Sequence, residues 1–443
     1  MKSTAFFTDH YELTMLQAAL KSGRAASPAT FEIFTRRIPD RRPWGVFAGL
    51  GRFTAALKDF IFGDEEISWL EEHRVVDRAT LDFLASYHFS GDIDAYREGE
   101  LYTAGSPVLT VEGPFGEALL LETLALSILN FDSAVASAAS LITLAAGGRP
   151  VIEMGSRRVE QWAAVAAARA AYIGGFASTS NLQAGRLYGI PTTGTASHAF
   201  VLAYPSEKEA FAAQVAALGL GTTLLVDTFD SMQGIRRAVE VAGPELGAVR
   251  IDSGDLGSQA LAARRLLDEL GARATKLVVT GDLDARTIAA LGAAPVDVYG
   301  VGTGVVTGMG APSAGFVYKL VAIADPGHGP GALQRPVAKR SVGKATVGGR
   351  KWAWRAELGE LPGHSLAGGT AEAGPAAVEL PAWADVVATV PSCPHPGAVP
   401  LQVRVVDKGV VGPQPTLGEV RAYHAAVRHR TGGLVPLLLD RHP

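Results

Sequence analysis

The chain has 443 residues, 48% hydrophobic and 19% charged, a composition that fits a large buried core and excludes long-range disorder. Forty basic against 44 acidic residues leave a net charge of −4, which speaks against a nucleic-acid or membrane-surface protein. The single cysteine, Cys393, excludes an intrachain disulfide framework and suits a reducing, cytoplasmic compartment.

The first segment, Met1 to Asp9, meets an acid before a signal-peptide core can form. Residues 1–114 mix aromatic-rich helical stretches with charged turns such as Gly63-Asp64-Glu65-Glu66. The run Ser133 to Ala146 is rich in Ala, Ser and Leu but reads as too short and too polar to span a bilayer. Residues 115–322 then alternate short apolar runs with Ala/Leu-rich helical stretches. Thr222 to Asp227 is an apolar run ending in an acid, followed by a helix over 234–242. Ala248 to Asp255 precedes a helix over 258–270, and Lys276 to Asp282 precedes a helix over 285–291. Val296 to Gly304 closes the series. Continuous apolar runs alternating with helices describe buried parallel strands in βα units. From about residue 323 the chain becomes Pro- and Gly-punctuated and β-like, and Lys339, Arg340, Lys344, Arg350 and Lys351 read as a solvated hairpin.

In every unit the polar and glycine residues follow the strand, which is where α/β barrels and open α/β sheets alike place their sites. The absence of a dinucleotide fingerprint favours the barrel. Ile251-Asp252-Ser253-Gly254-Asp255 sets two carboxylates around a turn, next to Arg250. They could cap the following helix, or hold ribose hydroxyls or Mg²⁺, with Asp227 and Asp230 nearby. Gly302-Thr303-Gly304 and Gly281-Asp282 offer backbone N–H groups to an anion, or are simply turns. Arg157 and Arg158 could clamp a phosphate or a carboxylate, or lie on the surface. His198, in Gly194-Thr195-Ala196-Ser197-His198, is either a satisfied histidine or a nucleophile, which would need an open pocket and an orienting partner. Cys393 and His395 are too few for zinc, and there is no Walker A loop or nucleophile elbow. By themselves these residues describe a phosphate-handling α/β-barrel enzyme such as an aldolase or isomerase, although no lysine stands out as a Schiff-base former.

Taken in order, the motifs resemble the nicotinate phosphoribosyltransferase family. The opening Thr8-Asp9-His10-Tyr11-Glu12-Leu13-Thr14-Met15 is similar to the family's Thr-Asp-x-Tyr-x-Leu-Thr-Met. Phe31 to Arg37, Glu153 to Arg158, Gly175-Phe176, Thr179-Ser180-Asn181, Gly194-Thr195 with His198, Arg250 to Asp255, Gly302 to Gly304 and Lys319 continue it as far as about residue 355. Ser178 departs from the family's usual glycine, and the tail beyond about residue 360 is weakly matched.

The resemblance implies an irregular TIM-like α/β barrel, expected over 115–322. It also implies a second α+β domain built from the N- and C-terminal segments, 1–114 and 323–443. The implied reaction transfers the phosphoribosyl group of PRPP to nicotinate, giving nicotinate mononucleotide and pyrophosphate for NAD synthesis. ATP hydrolysis is coupled through phosphorylation of His198. Asp252 and Asp255 suit the ribose and a Mg²⁺ ion; Arg157, Gly281, Asp282, Gly302, Thr303, Gly304 and a partner's Lys319 suit phosphates. Tyr11, reaching in from the other subunit of a homodimer, and Phe176 would sandwich the pyridine ring. Arg250 would take the carboxylate, with Thr179, Ser180 and Asn181 beside the base. Nicotinamide-specific relatives carry an aspartate where Ser180 stands, and an aspartate would repel nicotinate. No structural zinc, nucleic acid or membrane partner is expected. A nicotinamide phosphoribosyltransferase and a silent phosphate- or nucleotide-binding relative remain the alternatives.

Overall fold

The computed structural model describes residues 3–39, 42, 44–329, 331–355, 385–389 and 398–429. Cys393, His395 and much of the tail after residue 360 lie outside the described residues. The chain divides into two compact units, residues 1–133 with 313–432, and residues 134–312 with 433–443.

The unit formed by residues 1–133 and 313–432 is built on a seven-stranded antiparallel sheet. Its order is Arg335–Pro336, Phe316–Ile323, Pro28–Thr35, Leu109–Pro114, Asp92–Tyr96, Gln402–Asp407, Val410–Val411. Residues 115–133 and 313–322, expected from sequence in the barrel, belong to this unit instead. The reason is pairing at long range: Phe316–Ile323 runs antiparallel along Pro28–Thr35 from Ala29 opposite Ile323 to Thr35 opposite Phe316. Phe31 stacks on Tyr318 with ring centroids 4.8 Å apart, which cements that pairing. The helix His10–Lys21 buries Glu12, Leu13, Leu16 and Ala19, a helical stripe, and leaves Tyr11 and Met15 exposed. The charged segment after residue 335 is only partly a solvated one. Lys339, Arg340 and Lys344 are exposed, but Lys351 is buried against Glu32 at 2.6 Å and Arg350 pairs with Asp94 at 2.6 Å.

The helix Glu122–Ala145 has 24 residues and is long and apolar enough to cross a membrane by length and composition, more than the run 133–146 suggested. It is a core helix here: Leu124, Leu129, Val135, Ala138, Ala139 and Ile142 are all buried.

The other unit carries a six-stranded, all-parallel sheet. Its order is Ser178–Thr179, Val151–Glu153, Val298–Val301, Lys276–Val279, Ala248–Ile251, Thr223–Leu225. Val249, Ile251, Leu277, Val279, Tyr299 and Val301, which share one face of the sheet, are fully buried. Helices Ser231–Ala242, Leu256–Glu269 and Ala285–Ala290 follow three of the strands, in the places the apolar periodicity predicts. No ladder closes the sheet among the described residues, so a complete TIM-type barrel is not what is seen. The edges nonetheless curl towards each other. Thr192 bridges to Thr179 at one edge, while Thr195, three residues on, hydrogen-bonds Arg250 beside the other edge. Three Cα steps reach about 11 Å at most.

Candidate active site

The polar cluster sits where the parallel strands end, and Arg250 is its centre. Its side chain is 13% exposed and its fork is largely spent on the protein. Nε donates to Thr280 Oγ1 at 2.8 Å, Nη1 to Thr195 Oγ1 at 3.0 Å, and Nη2 to Asp252 Oδ2 at 3.2 Å. Nη1 also reaches the Ala196 carbonyl at 3.4 Å. A guanidinium has five N–H donors, so one Nη2 proton remains. Arg250 as placed therefore cannot clamp a carboxylate with two parallel bonds.

Asp252 is shared. Oδ1 accepts from Thr280 Oγ1 at 2.7 Å, and Oδ2, besides Arg250, lies 3.8 Å from His198 Nε2. The His198 ring is 42% exposed at the start of the helix His198–Leu202, and Nδ1 lies 3.2 Å from Thr228 Oγ1. The ring is thus accessible, with an orienting partner on Nδ1 and Nε2 not hydrogen-bonded to Asp252 at 3.8 Å. Asp227, at the end of its apolar run, accepts from the Asp252 N–H and from Ser253 Oγ, both at 2.8 Å. Its other oxygen, Oδ1, is buried without a hydrogen-bond partner among the described residues.

Asp255 and Asp230 do something else. Each caps a helix, Asp255 through Ser258 and Asp230 through the Gln233 N–H at 2.8 Å. The bonds from Ser258 hold the Asp255 carboxyl below the usual aspartate range. The two acids of the Asp-Ser-Gly-Asp turn therefore separate, Asp252 into the cluster and Asp255 into the helix start.

The opposite edge of the sheet supplies Glu153, Thr179, Ser180 and Asn181. Thr179 is buried, its hydroxyl donating to Glu153, and Asn181 caps the helix Leu182–Tyr188 through the Ala184 N–H at 2.9 Å. Ser180 is half-buried and donates its N–H to the Glu153 carbonyl at 2.8 Å. Arg157 stands exposed on the turn that follows. Gly302 precedes the short helix Thr303–Val306. A Cβ on Gly304 would stand 2.5 Å from the Leu283 carbonyl oxygen, so this glycine is required by protein packing. Gly281 has φ +131°, a conformation that favours glycine, beside the exposed Asp282.

Phe176 is 1% exposed, so its ring is covered by the protein and presents no open face for stacking. Tyr11, in the other unit, is 40% exposed. Burial and the adjacent Glu122 push its hydroxyl pKa up, so it stays protonated. Glu122 also lies 3.6 Å from Lys319 Nζ, so one carboxylate serves both residues. Thr195, Thr228 and Thr280 went unassigned from sequence. Their common signal is a hydroxyl within a few residues of a strand end or of His198.

Residues 6–130 match the nicotinate phosphoribosyltransferase (NAPRTase) N-terminal domain. The chain is 56% identical over 356 residues to nicotinate phosphoribosyltransferase pncB1 of Mycobacterium tuberculosis, covering 79% of this chain and 77% of that one. It is 37% identical over 363 residues to the Bacillus subtilis nicotinate phosphoribosyltransferase, covering 80% and 73%. Among solved structures, human nicotinic acid phosphoribosyltransferase superposes with a TM-score of 0.76 at 27% identity, covering 98% of this chain and 96% of that one. The nicotinate-nucleotide pyrophosphorylase of Pyrococcus furiosus shares the fold with a TM-score of 0.73 at 24% identity, covering 95% and 93%. With identity this high over most of its length, the chain belongs to the nicotinate phosphoribosyltransferase family.

Proposed function

We propose that this chain joins nicotinate to the phosphoribosyl group of PRPP, forming nicotinate mononucleotide and pyrophosphate in NAD biosynthesis, with ATP hydrolysis coupled through His198. The observation that carries it is the linked set His198–Asp252–Arg250, with its threonine partners, at the strand ends of a chain 56% identical to a nicotinate phosphoribosyltransferase.

In the transfer, the C1–O bonding pair of PRPP leaves with pyrophosphate, and the pyridine nitrogen lone pair forms the new bond to C1. Positive charge develops on the ribose and negative charge on the leaving group. Asp252, oriented by Arg250 and Thr280, is suited to the ribose side, where a fixed carboxylate stabilises the developing cation. Arg157 and the N–H groups of Gly281, Asp282, Gly302, Thr303 and Gly304 suit the phosphates. For the coupled step, an imidazole nitrogen of His198 attacks the γ-phosphorus of ATP and ADP departs; water later takes the phosphoryl group, giving phosphate. Thr228 on Nδ1 orients the ring, and Nε2, 3.8 Å from Asp252, is the nitrogen left to attack.

The described residues contain no group of three or more His, Cys, Asp or Glu side chains placed to cage a metal. Mg²⁺ arriving on PRPP needs only one or two carboxylates, and Asp252 with the unbonded oxygen of Asp227 fits that requirement. It would neutralise charge on the pyrophosphate. Asp255, committed to its helix, is the weaker candidate. The nicotinate carboxylate meets the one free Arg250 proton and the neutral Ser180, with no acid at that position to repel it. The exposed Tyr11, and Lys319 with it, would complete a partner's site in a homodimer, and the curled sheet would act as an irregular barrel. The single cysteine suits a cytoplasmic setting.

The test is to mix the purified chain with PRPP, Mg²⁺ and either nicotinate or nicotinamide, with and without ATP, and to assay the mononucleotide. Product from nicotinate, increased by ATP, is expected. No product from either base overturns the enzyme assignment in favour of a silent nucleotide-binding relative, and product from nicotinamide alone overturns the choice of base.

A further inference from the structure

Glu153 ends the strand Val151–Glu153 and is 1% exposed, yet no Lys, Arg or His forms an ion pair with it among the described residues. Its partners are neutral and come from two loops. Oε1 accepts from the Gly155 N–H, and Oε2 accepts from the Thr179 hydroxyl. Its carbonyl accepts from the Ser180 N–H at 2.8 Å. The same two loops meet again where Asn181 Nδ2 donates to Ser156 Oγ at 3.1 Å, and the Asn181 N–H donates to Thr179 Oγ1 at 3.0 Å.

A buried carboxylate without a cation is costly, and packing alone would be served better by an apolar side chain. What a carboxylate does here and an apolar side chain cannot is accept from two donors at once, one on each loop. Burial pushes its pKa above the usual glutamate range, against the pull of those two bonds. The turn is closely packed, since a Cβ at position 155 would stand 2.3 Å from Val306 Cγ1 and 3.0 Å from Glu153 Oε1.

We propose that Glu153 is a positioning residue that locks the Gly155–Arg157 turn to the Thr179–Asn181 loop, so that the phosphate-side arginine and the base-side Ser180 address one bound substrate pair. This rests on the proposed transferase reaction. It adds a residue that touches neither substrate and acts through both loops.

The test compares wild type with Glu153→Ala, Glu153→Gln and Thr179→Val. Hydrogen exchange on the folded proteins should show faster exchange in residues 155–158 and 179–181 together for Glu153→Ala. The glutamine variant, which can still accept from Gly155 and bond Thr179, should restore most protection. In steady-state assays, Glu153→Ala should raise KM for PRPP and for nicotinate in parallel, by about tenfold or more, the scale expected when loops that orient substrates shift. Thr179→Val, which removes one of the two bonds, should give an intermediate rise and also covers the case in which the alanine variant does not fold. A lowered melting temperature with both KM values and the exchange of these loops unchanged overturns the proposal. If wild type makes no nicotinate mononucleotide, the reaction assignment fails separately. PRPP affinity by calorimetry then reads Glu153 alone, an unchanged Kd in the variants refuting it.

Discussion

Replacing Glu12 by glutamine should change how stability depends on pH. Glu12 lies in the family's opening motif, immediately after Tyr11, and is fully buried. Thr8 and Thr123 hydrogen-bond its carboxyl, the Thr123 N–H at 2.9 Å, but burial outweighs them and pushes the pKa from 4.5 up to about 7. The folded state therefore binds the proton more tightly than the unfolded chain does. The stability this confers is complete below pH 4.5 and is lost as the pH rises through about 7. A rise of this size corresponds to about 3 kcal/mol between the two protonation states, set against a total of about 5–15 kcal/mol for a typical domain. Glutamine cannot ionise and keeps the shape, so Glu12→Gln should gain on wild type by up to about 3 kcal/mol between about pH 5 and about pH 8. Denaturant midpoints of the two proteins, measured across that range, give the difference directly. A difference that stays constant with pH would refute the reasoning, since it would mean that Glu12 is already ionised when folded.

His424 should behave in the opposite sense. It is fully buried with Nδ1 2.8 Å from the Gly99 carbonyl, and burial lowers its pKa from 6.5 to about 4, so stability complete above pH 6.5 is lost as the pH falls through about 4. A His424→Gln variant should therefore lose less stability than wild type on acidification, which the same titration reads. His198→Ala should retain transferase activity but lose stimulation by ATP, and Thr228→Val should form less phosphoenzyme from radiolabelled ATP; equal stimulation in His198→Ala would remove the phosphohistidine. Gly304→Ala forces its Cβ against the Leu283 carbonyl, 2.5 Å away. Overpacking of this kind costs about 1–3 kcal/mol, and a raised KM for PRPP with a lower melting temperature should report it. Ser180→Asp should lower kcat/KM for nicotinate by about tenfold or more, an effect of ~1.4 kcal/mol, while sparing nicotinamide; equal loss for both bases would show that Ser180 does not select between them.

The parallel sheet was legible because its signals are local. Each strand is a short apolar run, each following helix has its own period, and a polar residue marks each strand end, so Asp227 and Asp252 could be picked out by position. The helix-capping alternative for Asp255 was equally local, because its partner, Ser258, is three residues away. What could not be read were contacts between distant residues. Arg250 meets Thr195 across 55 positions and Thr280 across 30, Glu12 meets Thr123 across 111, and Lys351 bonds Glu32 across 319. The apolar pattern of Phe316–Ile323 suits a barrel strand as well as an antiparallel one, and only its pairing with Pro28–Thr35 decides between them.

Sequence by itself therefore determined the chain's family, the order of its βα units and the residue types at the strand ends, since these depend on neighbours a few positions away. Tertiary structure alone decided how those residues are committed. Arg250 is a saturated hub with a single proton to offer, Phe176 is covered, Asp252 faces His198 while Asp255 caps a helix, and Glu153 ties two loops together. A side chain's chemistry is fixed by its type, but its free hydrogen-bonding capacity depends on what the fold brings against it.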